Sequence, residues 1–346
     1  MTHKMLISSV AAAAMLCGAA HAQSAKPAKA EPHMQKVLDA LASLGGKPIE
    51  TLTPQEARKQ PTPADAAKKV LTDMGKSTAP EAGVTVKDMM IPGPLGDIPI
   101  HIYTPEGKGP FPVMVYYHGG GFVIANTKVY DASPRALSKM AKAVIVAVDY
   151  HQAPEHKFPA APNDAYAAYQ WTLKNAATIN GDAARVAVGG ESAGGNLATV
   201  VSMMARDKKE PLPVHQLLVY PVVNNDMETP SYKKYADAKP LNKPIMAWFF
   251  KHYGGDPKNP YALPMKAATL KGLPSATVIA AEIDPLLSEG KSYADRLKKD
   301  GVAVTYKHYQ GVAHEFFGMG AVVPAAKEAE QYAADALTKA FQKPAR

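Results

Sequence analysis

Only one cysteine, Cys17, occurs in the 346 residues. One thiol cannot close a disulfide within the chain, so the fold must stand on its core and is indifferent to an oxidising compartment. Charge of one sign is not concentrated anywhere either. The formal net charge is +8, but the lysines are scattered among acids and alanines and there is no arginine-rich block. That pattern is a solvated surface and argues against nucleic acid as a partner. The apolar run Met5 to Ala20 is too short to span a bilayer comfortably. It follows His3-Lys4 and runs into Ala20-His21-Ala22, an A-x-A cleavage pattern, so residues 1–22 read as a secretory signal peptide. A twin arginine is absent, and Ala14-Met15-Leu16 is a poor lipobox before Cys17, so no stable membrane anchor is expected. The expected location is therefore outside the cytoplasm, periplasmic or secreted, with cleavage near Ala22. No internal repeat is visible.

What is present is a core. Hydrophobic residues make up 47% of the chain, and the length suits one large α/β domain with an appendage. After a polar lead-in over 23–31, Met34, Val37, Leu38, Leu41 and Leu44 recur at helical spacing behind Pro32, and Gly45-Gly46 ends that helix. Further helices are expected from Pro54 to Gln60 and from Pro63 to Met74. Their apolar stripes need a surface, either as a lid over the later domain or as a plain helical appendage. Val84 to Ile91 and Ile98 to Tyr103 read as an antiparallel pair across a Pro-Gly turn. From Pro112 strands and helices alternate. Strands are expected at Val113–Tyr117, Ala143–Val148, Arg185–Gly189, Val214–Val219, Ala276–Ala281 and Val302–Tyr309. The helices between them are Ala132–Lys142, Pro162–Asn175, Leu286–Asp300 and finally Pro324–Gln342. The alternation predicts a mostly parallel eight-stranded sheet with helices on both faces and its ligand site at the carboxyl ends of the strands. Residues 224–265 hold no good strand and read as an excursion that joins the N-terminal helices in a helical cap. The organisation expected is a signal peptide over 1–22, linker and cap helices over 23–83, and one domain over 84–346 with a cap insertion at about 224–265.

The chemistry gathers at strand ends. Gly190-Glu191-Ser192-Ala193-Gly194 lies between the apolar run ending at Gly189 and the helix-compatible run from Asn196. A serine that stands proud of a sheet needs a sharp strained turn, with glycines two residues before and after it where no Cβ fits. The amide of Ala193 then lies at a helix N-terminus, where unpaired N–H groups favour negative charge. His118-Gly119-Gly120-Gly121 follows the strand Val113–Tyr117, and Gly119 and Gly120 are the natural further amide donors for an oxyanion. His314, just beyond the last strand, is the candidate base. A zinc reading of His314-Glu315 fails because Gly318 stands where H-E-x-x-H needs histidine. Asp284, after the strand Ala276–Ala281, is the candidate acid. Glu282 competes with it, while Asp149 precedes the serine and fits the order badly. The order Ser192, Asp284, His314 is one of the known triad orders. Neither metal nor cofactor is required. Phe122, Trp248 and Phe249 could line a substrate pocket; the alternative is that they fill a lid core.

The stretches His118–Phe122 (HGGGF), Asp149–Ala161 (DYHQAPEHKFPAA), Gly190–Asn196 (GESAGGN), Asp284–Gly290 (DPLLSEG) and Gly311–Phe317 (GVAHEFF) together resemble the bacterial hormone-sensitive-lipase-like esterases of the α/β-hydrolase superfamily. The resemblance implies a Ser-Asp-His triad, a glycine-rich oxyanion hole, a helical cap and a serine carboxylesterase acting on small-molecule esters with short to medium acyl chains. A lipase, a lactonase or an amidase or deacetylase could use the same machinery. The plant gibberellin receptors resemble this family but lack the histidine that is present here as His314, which speaks against a pure binder. Two positions depart from the family pattern. His151-Gln152 stands where arginine and leucine are common, and Glu191 where aspartate is more frequent. Relatives often pair through sheet edges or helices, so a homodimer is an open option.

Overall fold

The computed structural model describes residues 1–2 and 28–342. The expected signal peptide lies, apart from its first two residues, outside the described residues. Eight strands form one sheet in the order β1-β2-β4-β3-β5-β6-β7-β8: β1 (Val84–Gly93), β2 (Gly96–Pro105), β3 (Phe111–Tyr117), β4 (Val144–Val148), β5 (Gly181–Glu191), β6 (Gln216–Val219), β7 (Ala276–Ile283) and β8 (Val304–Ala313). Only β2 runs against its neighbours, pairing antiparallel with β1 and β4. The remaining pairings are parallel.

Period-two packing explains the two cores. In β3, Val113, Val115 and Tyr117 face one side and Met114 and Tyr116 the other. The first side meets α5 (Ala160–Asn175), α6 (Ala193–Asp207) and α9 (Leu287–Lys299); the second meets α4 (Ala132–Ala141) and α10 (Pro324–Phe341). The strand Val144–Val148 is buried along its whole length, as its unbroken apolar sequence demands of a central strand covered on both faces.

The N-terminal helices begin where sequence cues place them. Glu31 accepts from the amides of His33 and Met34 and caps α1 (Pro32–Ser43). Thr53 with Glu56, and Thr62 with Asp65, form capping boxes before α2 (Pro54–Ala57) and α3 (Pro63–Asp73). Helices α1 and α3 pack together and onto the second core. Residues 49–57 instead pack against α8 (Lys243–Tyr253), with Trp248 Nε1 donating to the Leu52 carbonyl at 3.1 Å. Residues 224–265 contain α7 (Pro230–Lys234), α8 and no strand.

Several boundaries differ from expectation, among them the start of β5 at Gly181 rather than Arg185, the end of α2 and the end of β8. Helix α2 ends at Ala57 rather than Gln60: Lys59 N and Gln60 N bond three residues back, to the Glu56 and Ala57 carbonyls, and Pro61 follows, while the Arg58 guanidinium bonds the Val123 and Ala153 carbonyls and Glu155. Strand β8 runs four residues past Tyr309. At φ +68° Gly311 lets the Glu31 backbone approach, and Glu31 N donates to its carbonyl at 2.8 Å. The extension brings Ala313 into register with Ile283.

Candidate active site

Register assembles the site. Ile283 pairs with Ala313, so Asp284 and His314 leave neighbouring parallel strands side by side. Tyr117 pairs with Gly190, so the His118 glycines leave β3 beside the serine turn of β5. Ser192 has φ +57° and ψ −116°, a strained backbone held by Ser192 N to the Val219 carbonyl at 2.9 Å and Val222 N to the Ser192 carbonyl at 3.1 Å. The glycines are obligatory: a Cβ on Gly194 would lie 1.8 Å from the Tyr117 carbonyl oxygen, and one on Gly190 2.6 Å from Gly194 C.

The three candidate residues meet. His314 Nε2 lies 3.0 Å from Ser192 Oγ, and His314 Nδ1 lies 2.7 Å from Asp284 Oδ2. Asp284 Oδ1 accepts from Leu286 N at 2.8 Å, which fixes the carboxylate. All three side chains are buried, and Ser192 and His314 border a cavity of about 850 Å³. Glu282 is committed elsewhere, accepting from Gly311 N at 2.8 Å. Asp149 accepts from Thr127 N and His101, away from the imidazole.

Electrostatics favour a basic imidazole. Burial by itself pushes the His314 pKa down, but the Asp284 charge and hydrogen bond, helped by Glu315 and Glu191, outweigh it and leave the pKa above 6.5. Behind the site, buried Glu191 accepts from Tyr116 Oη and Tyr220 Oη, each at 2.5 Å. Burial first and the Glu315 charge second push its pKa up to about 8. The Tyr220 ring in turn packs 4.4 Å from the His314 ring.

The glycine loop is placed as follows. Among the described residues, none accepts a hydrogen bond from the amides of Gly119, Gly120 or Gly121. Gly120 (φ +91°) and Gly121 (φ +60°) border the cavity. Gly119 does not: it faces the Tyr130 hydroxyl and the Glu191 carbonyl, leaving a Cβ no room. Ala193 heads the 15-residue helix α6 with its amide at the unpaired end. His118 is stacked on Tyr150 at 4.4 Å, and its Nδ1–H donates to the Gly119 carbonyl, steadying the loop.

Of the three aromatics, Phe249 alone borders the cavity, its ring lying against Gly121. Phe122 is turned away and stacks on Tyr253 at 3.9 Å. Trp248 is occupied by its bond to Leu52. Composition could not separate these, because three aromatics near a lid differ only in which face of the chain they occupy. The cavity also takes Leu71, Met140, Phe317 and Glu315 into its wall. Glu315 stood in view beside His314, but nothing in the sequence signals its partner Tyr130, 185 residues away. His151 and Gln152 fill their positions with polar bonds: His151 N and Nδ1 meet Asp164, and Gln152 Nε2 donates to the Ile124 and Ala125 carbonyls. Among the described residues, no group of three or more His, Cys, Asp or Glu side chains could hold a metal ion, and no helix is long and apolar enough to cross a membrane.

Comparison with known proteins places this geometry. Residues 114–318 match a family model described as alpha/beta hydrolase fold. The chain is 40% identical over 249 residues to the carboxylic ester hydrolase LipN of Mycobacterium tuberculosis, covering 69% of this chain and 66% of LipN. It is 40% identical over 254 residues to the carboxylesterase NlhH of the same organism, covering 71% and 80%. A thermostable esterase from Pseudomonas putida superposes with a TM-score of 0.82 at 37% identity, covering 91% of this chain and 98% of that one. An esterase from Pyrobaculum calidifontis gives 0.79 at 37%, covering 90% and 98%. The chain belongs to the hormone-sensitive-lipase-like esterase family of the α/β-hydrolase fold.

Proposed function

We propose that this protein is a serine carboxylesterase that cleaves esters with short to medium acyl chains through an acyl-enzyme. The observation that carries the reading is the chain Asp284–His314–Ser192, hydrogen-bonded at 2.7 and 3.0 Å and open to the cavity. Ser192 Oγ attacks the ester carbonyl while His314 Nε2 takes its proton. Amides of the glycine loop and of Ala193 hold the oxyanion; the loop residues that border the cavity are Gly120 and Gly121. His314 then protonates the leaving alcohol, and water enters to release the acid by the reverse route. Asp284 stays ionised, holding the tautomer and steadying the imidazolium.

The carboxylic ester hydrolase and carboxylesterase among the relatives support the activity. Chain-length preference rests on the cavity. Its volume is that of a site for one small ligand, walled by Leu71, Met140, Phe249 and Phe317. Rates on p-nitrophenyl esters should peak at short to medium chains; a maximum at long chains would overturn this preference.

The pH dependence follows from His314, which must be neutral at Nε2 to take the serine proton. Because its pKa is raised above 6.5, kcat/KM should fall as pH drops through a midpoint above 6.5. A midpoint below that value would contradict the arrangement.

Export is part of the same reading, supported by the apolar Met5–Ala20 run and the A-x-A pattern at Ala20–Ala22. N-terminal sequencing of the protein from its host should start at Gln23; an intact Met1 would refute it.

A further inference from the structure

One charged side chain beside the imidazole has no part in the reaction just described. Glu315 Oε1 lies 3.7 Å from His314 Nε2, the nitrogen that also meets Ser192 Oγ. That separation is too long for a direct hydrogen bond and short enough for one small molecule to touch both groups. Tyr130 Oη donates to Oε1 at 2.7 Å and fixes the carboxylate, while no described residue donates to its second oxygen. The side chain is 19% exposed and borders the cavity. Its backbone sits at φ +69°, a left-handed conformation that glycine takes freely and a side chain resists. A carboxylate kept at a strained position, clamped by a hydroxyl and aimed beside the proton-transferring nitrogen, points to a use.

We propose that Glu315 orients the water that hydrolyses the acyl-enzyme. The inference rests on the triad reading above. Once the alcohol has left, water enters between His314 Nε2 and Glu315 Oε1, which has a second lone pair beside the one that Tyr130 takes. Glu315 accepts one O–H. The other O–H points to Nε2, which takes that proton as the water oxygen bonds to the acyl carbon and the carbonyl pair moves onto the oxyanion. Collapse of that adduct expels Ser192 Oγ, which recovers the proton from Nε2 and leaves a free carboxylic acid. Glu315 neither gains nor loses a proton. It is an orienting group for the nucleophile, set by geometry alone.

This role is selective for one half of the reaction. In acylation the proton starts on Ser192, and the alkoxy oxygen of the leaving group carries no hydrogen for Glu315 to accept. Water has a second hydrogen and methanol does not, so hydrolysis should depend on Glu315 and methanolysis of the same acyl-enzyme should not.

The test compares wild type with Glu315→Gln and Glu315→Gly. Gln leaves one neutral oxygen, already taken by Tyr130, in place of the carboxylate; Gly accepts the left-handed backbone and loses the side chain. Pre-steady-state release of p-nitrophenol from p-nitrophenyl acetate is followed on the alkaline plateau, where His314 is neutral in every variant, with and without methanol. Acylation should stay within about threefold, deacylation should slow roughly tenfold or more, and the methanolysis-to-hydrolysis ratio should rise by a similar factor, a modest share of what general acid–base groups contribute. Equal slowing of both steps, or an unchanged partition ratio in the variant that melts like wild type, would overturn the proposal. A wild-type protein that forms no acyl-enzyme on Ser192 would instead overturn the triad reading on which it rests.

Discussion

Replacing Ser192 with alanine should lower kcat on the order of 10⁶-fold while the protein melts at an unchanged temperature. The magnitude is that of losing the nucleophile of a serine triad. The reason for so large a loss is local. Ser192 Oγ is the hydroxyl that His314 Nε2 reaches, at 3.0 Å, and the strained turn presents it on the cavity wall. Two other hydroxyls on that wall are committed: Ser133 bonds Tyr116 and Glu191, and Tyr130 donates to Glu315 and is pushed far above the ordinary tyrosine pKa by burial. Stability should hold because the turn is maintained by backbone bonds from Ser192 N and to the Ser192 carbonyl and by glycines at 190 and 194, all untouched by the change. Residual turnover above about 1% of wild type in Ser192→Ala would remove the serine from the mechanism, since a triad nucleophile leaves only the far smaller oxyanion-hole and binding contributions behind.

Asp284→Asn should cost roughly 10⁴ in kcat, as the equivalent change does in a serine protease triad where the imidazole is left in the wrong tautomer. In this protein both carboxylate oxygens are assigned. Oδ2 faces His314 Nδ1 at 2.7 Å and Oδ1 takes the Leu286 amide at 2.8 Å. The amide oxygen of Asn can satisfy Leu286 N, which leaves the NH₂ group aimed at Nδ1. The imidazole then carries its proton on Nε2 and cannot accept one from serine. Glu282 offers no substitute, being held by Gly311 N. The Asp284 charge also raises the His314 pKa, so the acid limb of kcat/KM should move to lower pH in the variant. A loss below tenfold would mean that the imidazole is oriented by something other than Asp284.

Much of this site could be read before any coordinates, for a topological reason. In a parallel sheet the carboxyl ends share one edge, so residues that directly follow strands are brought together whatever separates them in sequence. His118, Ser192, Asp284 and His314 each occupy such a position. What the chain hid is set by packing across it. Gly119 and Gly120 are the same residue type, yet Gly119 lies against the Tyr130 hydroxyl and the Glu191 carbonyl while Gly120 borders the cavity. Phe122 and Phe249 are alike in type, but the first stacks on Tyr253 and the second, on α8, packs against Trp248. The last residues of β8 pass through Gly311, whose φ of +68° admits the docking of Glu31, a contact that no local pattern announces. Glu315 was visible, but its strain and its clamp were not.

The same logic explains the departures from the common family pattern. His151 and Gln152 keep the loop in place through Asp164 and the Ile124 and Ala125 carbonyls. Glu191, one methylene longer than aspartate, reaches two tyrosine hydroxyls at once. Neither change reaches the reacting atoms.

The central claim is that Ser192 is a nucleophile activated by His314, and a fluorophosphonate tests it directly. Intact-mass analysis should show one adduct per chain, peptide mapping should place it on Ser192, and Ser192→Ala should show none. His314→Ala should be labelled far more slowly than wild type. An unlabelled wild-type protein, or an adduct on any other residue with Ser192 free, would contradict the account.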